Sequence, residues 1–289
     1  MQEALDELVA LLDLEDIEVN IFRGVSPDEK RQRVFGGQVA GQALVAAART
    51  VGDDSQVHSL HAYFLRPGDP TVPILYEVDR IRDGRSFTTR RVVAIQHGKP
   101  IFNLSTSFHR AEQGLDHQLG RGVVEPDGSP LPAPEALADF KTRMAPWADR
   151  LGDWYDRPRA IDTRHVDWDL AQRSQHLPPR QRVWLRADGR LPDDPVLHTC
   201  VLTYASDMTL LDTALLPHGG DFGEDELMMA SLDHAMWFHR PFRADEWLLY
   251  DQDTPSASGG RGLARGLIYT RAGELAVSVV QEGLIRVPR

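Results

Sequence analysis

A chain of 289 residues, 42% of them hydrophobic, is long enough for two domains or one large one and can bury a substantial core. Its net charge of −11 argues against a general nucleic-acid binder, because such proteins normally carry a surplus of basic residues. The single cysteine, Cys200, excludes an intrachain disulfide, and its apolar surroundings predict a buried, unreactive thiol.

The N-terminal segment is acidic and amphipathic, with an apolar stripe formed by Leu5, Leu8, Val9 and Leu12. A secretory signal would begin with basic residues followed by an apolar run, so this segment predicts a helix instead. The sequence contains no apolar run of about 18 residues, the length that a transmembrane helix needs. We therefore expect a cytoplasmic protein without stable membrane insertion.

A helix rich in small residues is predicted over 34–50, where Gly36, Gly37 and Gly41 permit close packing against a neighbour. The GGQVAG segment lacks the glycine spacing of a dinucleotide or phosphate-binding loop. Strand-like runs separated by glycine-containing turns follow, which is the pattern of an antiparallel meander. These strands are predicted over 57–65, 74–82, 86–97 and 100–108.

The second half repeats this order after a connecting segment, residues 111–156, whose first part is rich in proline. A short helix is predicted within the connection over 135–144, and residues 160–186 hold the strands that open the second half. The elements that follow are a helix over 202–216 and strands over 227–238, 246–256, 261–270 and 274–287.

The two halves also share short stretches of sequence. SLHA at 59–62 resembles SLDHA at 231–235, and ILY at 74–76 resembles LLY at 248–250. A helix followed by an antiparallel meander, present twice, predicts two copies of one α+β unit.

One carboxylate lies within the apolar helix predicted over 202–216. The helical neighbours of Asp207 are almost all apolar, so its side chain is expected to point into the core. A buried carboxylate without a partner is costly, so Asp207 is either satisfied structurally or used chemically. Asp212 lies on another face of the same helix and is interpreted as structural.

Two further polar side chains lie on core-facing rows of predicted strands. Gln281 alternates with Val277 and Val279 on one strand face, and Ser231 follows Met229 on another. An unsatisfied polar group there costs about 1–3 kcal/mol, so each is expected to have a partner. Together with the carboxylate of the helix, they either meet at one functional site or form a structural hydrogen-bond cluster.

The first half lacks one member of this set. Aligning the hairpins at 98–101 and 273–276 places Thr106 opposite Gln281, but no Asp or Glu occurs between Arg33 and Gly52. The helix of the first unit therefore has no counterpart of the acid. We expect this unit to be catalytically silent, which leaves one active site per chain.

Seven motifs together resemble the acyl-CoA thioesterase II family over essentially the whole chain: VFGGQVAGQAL, HSLHAYFLRPGD, YEVDRIRDGRSF, YASD, LDHAMWFHRPF, EWLLY and VVQEGLIR. The resemblance implies an α+β double hotdog, in which two fused units each wrap an antiparallel sheet around a long helix. It implies a silent N-terminal hotdog at 1–110, a linker at 111–156 and a catalytic C-terminal hotdog at 157–289. It also implies a homo-oligomer, a dimer or tetramer, with no metal or other cofactor, and the net charge of −11 predicts no nucleic-acid partner.

Members of this family hydrolyse fatty acyl-CoA to the free acid and CoA, with an Asp, a Thr or Ser, and a Gln that hold a water. The matching motifs assign these roles to Asp207, Ser231 and Gln281, with Asp207 as the general base. Covalent attack by Ser231 is the alternative mechanism, although the chain has no G-x-S-x-G segment and a regular strand would turn His234 away from Ser231. A non-catalytic acyl-CoA binding module and an enoyl-CoA hydratase are the alternative functions.

Overall fold

The computed structural model describes residues 2–27, 32–120, 122–172, 174–219 and 227–286. The predicted end of the last strand at residue 287 and both chain termini lie outside these ranges. No helix among the described residues is long and apolar enough to cross a membrane.

The first half begins with the amphipathic helix and ends with a long hairpin. Its helices and strands are α1 (Gln2–Leu12), β1 (Glu15–Glu18), β2 (Ile21–Gly24), α2 (Gly36–Ala48), β3 (Ser55–Phe64), β4 (Ile74–Asp83), β5 (Phe87–Gln96) and β6 (Lys99–Arg110). The strands predicted between residues 57 and 108 are all present, with ends that differ by two residues or fewer. Glycine-containing turns and strand alternation were therefore sufficient to place them.

Short helices occupy the linker. They are a 3-10 helix (Pro134–Ala136), α3 (Phe140–Met144), a second 3-10 helix (Ala145–Trp147), α4 (Ala148–Leu151) and α5 (Asp153–Asp156). The helix predicted over 135–144 is thus divided, because Asp139 caps α3 by accepting a hydrogen bond of 2.8 Å from the Thr142 N–H.

The second half contains the other central helix and the remaining strands. Its elements are β7 (Ile161–His165), a 3-10 helix (Leu170–Gln172), β8 (Arg180–Ala187), α6 (Pro195–Ser206), a 3-10 helix (Leu211–His218), β9 (Met228–Ser231), β10 (Asp233–Phe238), β11 (Leu248–Ser258), β12 (Arg261–Thr270) and β13 (Leu275–Arg286).

The strands form one 13-stranded sheet, in which β3 and β10 join the two halves by antiparallel pairing. The strand order is β1-β2-β4-β5-β6-β3-β10-β13-β12-β11-β8-β7, and β9 pairs with β13. Apolar residues of α2, α6 and the inner face of both half-sheets share one buried core. This is the α+β double hotdog predicted from the sequence.

The central helices α2 and α6 lie antiparallel and in close contact. Gly37, at the start of α2, lies against Tyr204 near the end of α6, and Gly41 lies against Cys200. A Cβ at Gly37 would clash with the Tyr204 carbonyl oxygen, and a Cβ at Gly41 would lie 3.3 Å from the Cys200 carbonyl oxygen. The glycines therefore permit the predicted close packing and bring the start of α2 beside the end of α6.

The prediction of a helix over 202–216 was wrong in its bounds. The helix runs over Pro195–Ser206, and a 3-10 helix follows at Leu211–His218. It begins early because Asp194 accepts hydrogen bonds from two first-turn N–H groups and a proline occupies the first position. At the other end, the Tyr250 hydroxyl donates 3.2 Å to the last helical carbonyl. Apolar residues continue through both segments, so periodicity alone did not separate them.

The strand predicted over 227–238 is interrupted between β9 and β10. Ser231 lies opposite Gly283 on β13, whereas Ala235 lies opposite Val280. One extra residue therefore lies on the β9–β10 side, as in a β-bulge. The prediction that His234 points away from Ser231 assumed a regular strand, and this irregularity shows that the strand is not regular there.

Candidate active site

Three side chains predicted for the site meet although they come from separate elements. Asp207 directly follows α6, Ser231 ends β9 and Gln281 lies in β13. The Gln281 Nε2 donates to Asp207 Oδ1 at 2.6 Å and to Ser231 Oγ at 2.8 Å. The Ser231 hydroxyl donates a longer hydrogen bond, 3.3 Å, to Asp207 Oδ1. We refer to Asp207, Ser231 and Gln281 as the Asp–Ser–Gln cluster.

Gln281 reaches the cluster because strand alternation turns it into the core with Val277 and Val279. Its side chain has no exposed surface (0%), as expected for a polar residue on an apolar row. The amide nitrogen must face the carboxylate, which fixes the position of the amide oxygen. Among the described residues, no group donates a hydrogen bond to the buried Gln281 Oε1. An acceptor is therefore available beside Asp207.

Asp207 lies at the end of α6 and not within the helix, where it was predicted. It is the C-cap residue, and its side chain reaches the first turn of α2, where the Gly37 N–H donates a hydrogen bond to it. The N-cap of α2, Phe35, makes no side-chain capping hydrogen bond. Asp207 therefore supplies, from another helix, the acceptor and negative charge that a helix start favours.

Gly36 allows this close approach. A Cβ at Gly36 would lie 2.7 Å from Asp207 Oδ2 and 2.8 Å from Cε1 of Phe64. A side chain at this position would displace the carboxylate or the ring. Glycine therefore brings the first-turn backbone of α2 directly against the Asp–Ser–Gln cluster.

Burial raises the pKa of Asp207 to about 6, although hydrogen bonds from Gln281, Ser231 and the Gly37 N–H favour the charged form. The negative charge of Asp212 adds to the increase in this pKa. A carboxylate with a pKa near 6 is mostly ionised at pH 7 and can still take up and return a proton. These are the properties of a general base.

Sequence reasoning missed a second polar group behind the cluster. The Ser206 hydroxyl and Nε2 of His234 share a hydrogen bond of 2.8 Å, and the Tyr250 hydroxyl donates to the Ser206 carbonyl. Burial lowers the pKa of His234 to about 4, so the ring is neutral at pH 7. His234 thus binds the residue before Asp207 and not Ser231. The shared ILY and LLY stretches were the only sequence signal for Tyr250.

Other candidates lie outside the cluster. Cys200 is fully buried in α6, and burial raises the pKa of its thiol well above the usual range, so it is unreactive as predicted. His58 and His239 each share a hydrogen bond of 2.8 Å with a serine, Ser107 and Ser278 respectively. Across the part of the chain that the structure describes, no three His, Cys, Asp or Glu side chains are grouped to hold a metal ion.

Comparisons with known proteins identify similar chains along the full length. A family model described as acyl-CoA thioesterase matches residues 157–284, and one described as acyl-CoA thioesterase N-terminal domain matches residues 26–109. The chain is 43% identical over 286 residues to acyl-coenzyme A thioesterase 8 of Homo sapiens, covering 97% of this chain and 89% of that protein. It is 38% identical over 292 residues to acyl-CoA thioesterase 2 of Haemophilus influenzae, covering 99% of both.

Solved structures are similar over the same extent. An acyl-CoA thioesterase II from Mycobacterium marinum is 46% identical, with a TM-score of 0.77 and coverage of 99% of this chain and 98% of that chain. A hot dog fold protein of unknown function from Alicyclobacillus acidocaldarius superposes with a TM-score of 0.76 at 17% identity, covering 98% of this chain and 99% of that chain. At that identity the second likeness concerns the fold alone.

Proposed function

This chain belongs to the acyl-CoA thioesterase II family and is a thioester hydrolase, and on that premise we propose that it cleaves fatty acyl-CoA into free fatty acid and CoA. The observation that carries the proposal is the Asp–Ser–Gln cluster at the first turn of α2, in which Asp207 has a pKa of about 6. We assign Asp207 as the general base, and Ser231 and Gln281 as the residues that hold the attacking water.

In the proposed reaction, the water donates one O–H to Asp207 and the other to Gln281 Oε1. Asp207 takes the first proton as the water oxygen bonds to the thioester carbonyl carbon. The carbonyl oxygen gains the electron pair, and first-turn N–H groups of α2 stabilise the resulting oxyanion. The C–S bond then breaks, and the proton held by Asp207 passes to the CoA sulfur.

Direct attack by water is favoured over attack by Ser231. The Ser231 hydroxyl lies between Gln281 and Asp207, where its hydrogen bonds fix the position of both side chains. The nearest imidazole in sequence, His234, shares its Nε2 with Ser206 at 2.8 Å and does not serve Ser231. Rapid quenching with acyl-CoA followed by mass spectrometry tests this choice, since an acyl group on Ser231 would establish the covalent route.

Release of free thiol from palmitoyl-CoA tests the function itself. We expect turnover by the wild type and a loss of at least about 10²-fold in Asp207→Asn. A non-catalytic acyl-CoA binding module would release no thiol, and an enoyl-CoA hydratase would hydrate enoyl-CoA without releasing thiol. Near-normal turnover by Asp207→Asn would show that another group is the base.

We also propose a division of labour between a silent hotdog at 1–110 and a catalytic hotdog at 157–289, joined by the linker at 111–156. The division is supported by the C-cap of α2, where Arg49 stands in place of an acid. The cytoplasmic location and the homo-oligomer, a dimer or tetramer, remain proposals from the sequence. Light scattering coupled to size-exclusion chromatography tests the oligomer.

A further inference from the structure

The break between β9 and β10 adjoins two residues of the Asp–Ser–Gln cluster. Leu232, the residue at the break, directly follows Ser231 in the chain. Its N–H donates a hydrogen bond of 2.9 Å to the carbonyl of Glu282 on β13, and Glu282 directly follows Gln281. The pairing at the break therefore sets the distance between the backbone segments that carry Ser231 and Gln281.

The return hydrogen bond of this pair is made to a side chain. In a regular antiparallel pair, facing residues exchange two N–H···O bonds, so the Glu282 N–H would donate to the Leu232 carbonyl. It donates instead to Asp233 Oδ1 at 2.7 Å. The Leu232 carbonyl accepts a hydrogen bond of 2.9 Å from the Phe64 N–H of β3. The Asp233 carboxylate thus takes the place of a backbone carbonyl and leaves that carbonyl for a third strand.

The third strand reaches the same site from the first half of the chain. Phe64 is the last residue of β3, and its ring lies beside Gly36 at the start of α2. The Asp207 carboxylate lies at the same glycine, where an added Cβ would be 2.7 Å from Asp207 Oδ2 and 2.8 Å from Phe64 Cε1. The junction at Leu232 therefore joins the strands that carry Ser231, Gln281 and the Phe64 ring.

The surroundings of Asp233 disfavour its negative charge. Burial raises the pKa of Asp233, and the charge of Glu282 adds to the increase, whereas the hydrogen bond from the Glu282 N–H favours the charged form. The junction therefore depends on an acceptor oxygen at the right distance from β13, and the oxygen of a neutral amide meets that need equally well.

We propose that Asp233 is a positioning residue for hydrolysis: its Oδ1 stands in for a backbone carbonyl in the pairing with β13 and thereby sets the spacing of Ser231 and Gln281. This inference rests on the proposed acyl-CoA hydrolysis and deepens it. Asp233 acts through the backbone of β13, and the contact that depends on it is the 2.8 Å hydrogen bond from Gln281 Nε2 to Ser231 Oγ.

Three substitutions of Asp233 separate the position of the oxygen from its charge. Asp233→Asn keeps an acceptor oxygen at the same distance and should keep the wild-type kcat for palmitoyl-CoA. Asp233→Glu keeps the charge but adds a methylene, and Asp233→Ala removes the acceptor. We expect both to lower kcat by about 10–10²-fold through misplacement of the reacting groups, with KM unchanged. Release of free thiol measures all three.

A matched control lies in the first half, where the pairing of β3 with β6 has the same irregularity between Val57 and Ser59. Ser59 thus corresponds to Asp233, and Ser59→Ala should keep the wild-type kcat. Hydrogen exchange of the Glu282 amide, followed by NMR, reports on the junction without catalysis. We expect this amide to exchange at least about tenfold faster in Asp233→Ala than in the wild type and Asp233→Asn.

The order of the variants decides the proposal. A kcat in Asp233→Glu equal to or above that of Asp233→Asn would overturn it, since charge and not position would then matter, and this pair decides the question if Asp233→Ala does not fold. Wild-type kcat in Asp233→Ala, or an equal loss in Ser59→Ala, would also overturn it. Absence of thiol release by the wild type would instead overturn the proposed function, and the exchange of the Glu282 amide would still test the junction.

Discussion

The two central helices begin in different ways although the halves of the chain follow one plan. At the first turn of α2, no side chain of that helix caps the N–H groups, and Asp207 from α6 accepts the Gly37 N–H. At the first turn of α6, Asp194 accepts hydrogen bonds from two N–H groups of its own helix. Asp207, the proposed general base, thus lies where the start of one helix is capped by the neighbouring helix. The repeated fold has two such helix starts. That of α2 is capped by a residue of α6, whereas that of α6 is capped by Asp194 of its own helix.

The strands beneath the two helix ends differ as well. Ala264 lies opposite Gln281 in the second half, and at the matching position of the first half Arg90 lies opposite Thr106. Arg90 is only 1% exposed, and its guanidinium donates to the side-chain and backbone oxygens of Thr50. A small residue therefore lies beside Gln281 of the Asp–Ser–Gln cluster, whereas a long, hydrogen-bonded cation holds the corresponding position beside Thr106. The first half differs from the second both at the helix end, where it has no acid, and on the neighbouring strand.

The largest expected effect comes from removing the charge of one helix-capping acid. We expect Asp207→Asn to lower kcat by about 10²–10⁴-fold, because the amide cannot accept the proton of the water. The matched variant, Asp194→Asn, makes the same change at the other helix start and should keep wild-type kcat, since Asn is also a good N-cap. Thiol release from palmitoyl-CoA measures both.

Thermal unfolding is the control for this pair. Burial raises the pKa of Asp207, so its charged form opposes folding and Asp207→Asn should not lower the melting temperature at pH 7. If Asp207→Asn unfolded, its loss of activity would have a structural cause and would not support Asp207 as the general base. Equal loss of kcat in the two variants would remove the distinction between the two helix starts.

The next effect concerns the strand residues at matching hairpin positions. Gln281→Leu removes the amide that holds Asp207 and the acceptor Oε1, and we expect kcat to fall by about 10²-fold through misplacement of the reacting groups. Thr106→Val in the first half breaks a 3.0 Å hydrogen bond to the Ser59 carbonyl and should leave kcat unchanged. If Thr106→Val lost as much activity as Gln281→Leu, the first half would not be silent.

The pH dependence gives opposite signs for activity and stability. Activity should fall about tenfold per pH unit below 6, because Asp207 must be ionised to act as a base. The folded-state pKa of Asp207 is raised, so its contribution to stability is complete below pH 3.8 and is lost as the pH rises to about 6. Between these two pH values the free energy of unfolding should decrease by about 3 kcal/mol, because one pKa unit corresponds to about 1.4 kcal/mol. Urea unfolding of wild type and Asp207→Asn across pH 4–7 measures it, and a constant difference between them would contradict the raised pKa.

Local patterns predicted most strands and marked the cluster residues as polar groups directed into the core, and the resemblance to the family then assigned them to one site. Gln281 was recognisable because a polar residue interrupts a row of Val277 and Val279, and strand alternation holds through β13. Asp207 was recognisable as an acid in an apolar stretch, although it lies at the end of α6. Both residues stand out because their neighbours in the sequence are apolar, so no knowledge of distant contacts is needed to notice them.

Features that depend on distant contacts could not be predicted. The end of α6 is set by a hydroxyl from β11, and the extra residue between β9 and β10 is visible only in the pairing with β13. The burial of Arg90 depends on oxygens of Thr50, which lies at the far end of α2. The sequence has arginine at 80, 82, 85, 90 and 91, a pattern typical of a solvated sheet face, and it does not reveal that Arg90 is the buried one.

The smallest expected effect compares two buried tyrosines at matching positions, Tyr250 of LLY and Tyr76 of ILY. The Tyr250 hydroxyl donates 3.2 Å to the carbonyl of Ser206, the residue before Asp207. The Tyr76 hydroxyl donates 2.7 Å to Gln42 Oε1 in the middle of α2. Replacing either tyrosine by phenylalanine leaves a buried acceptor unsatisfied, so both variants should lose about 1–3 kcal/mol of stability.

Only one of the two substitutions is expected to loosen Asp207, the proposed general base. We expect Tyr250→Phe to lower kcat about fivefold, equivalent to about 1 kcal/mol in the barrier, and to displace the acid limb of the pH profile while KM stays unchanged. Tyr76→Phe should lose similar stability but keep the wild-type kcat and pH profile. If the two variants had the same kcat at the same loss of stability, the Tyr250 hydroxyl would stabilise the core without positioning Asp207. The functional difference between the halves would then be confined to the Asp–Ser–Gln cluster.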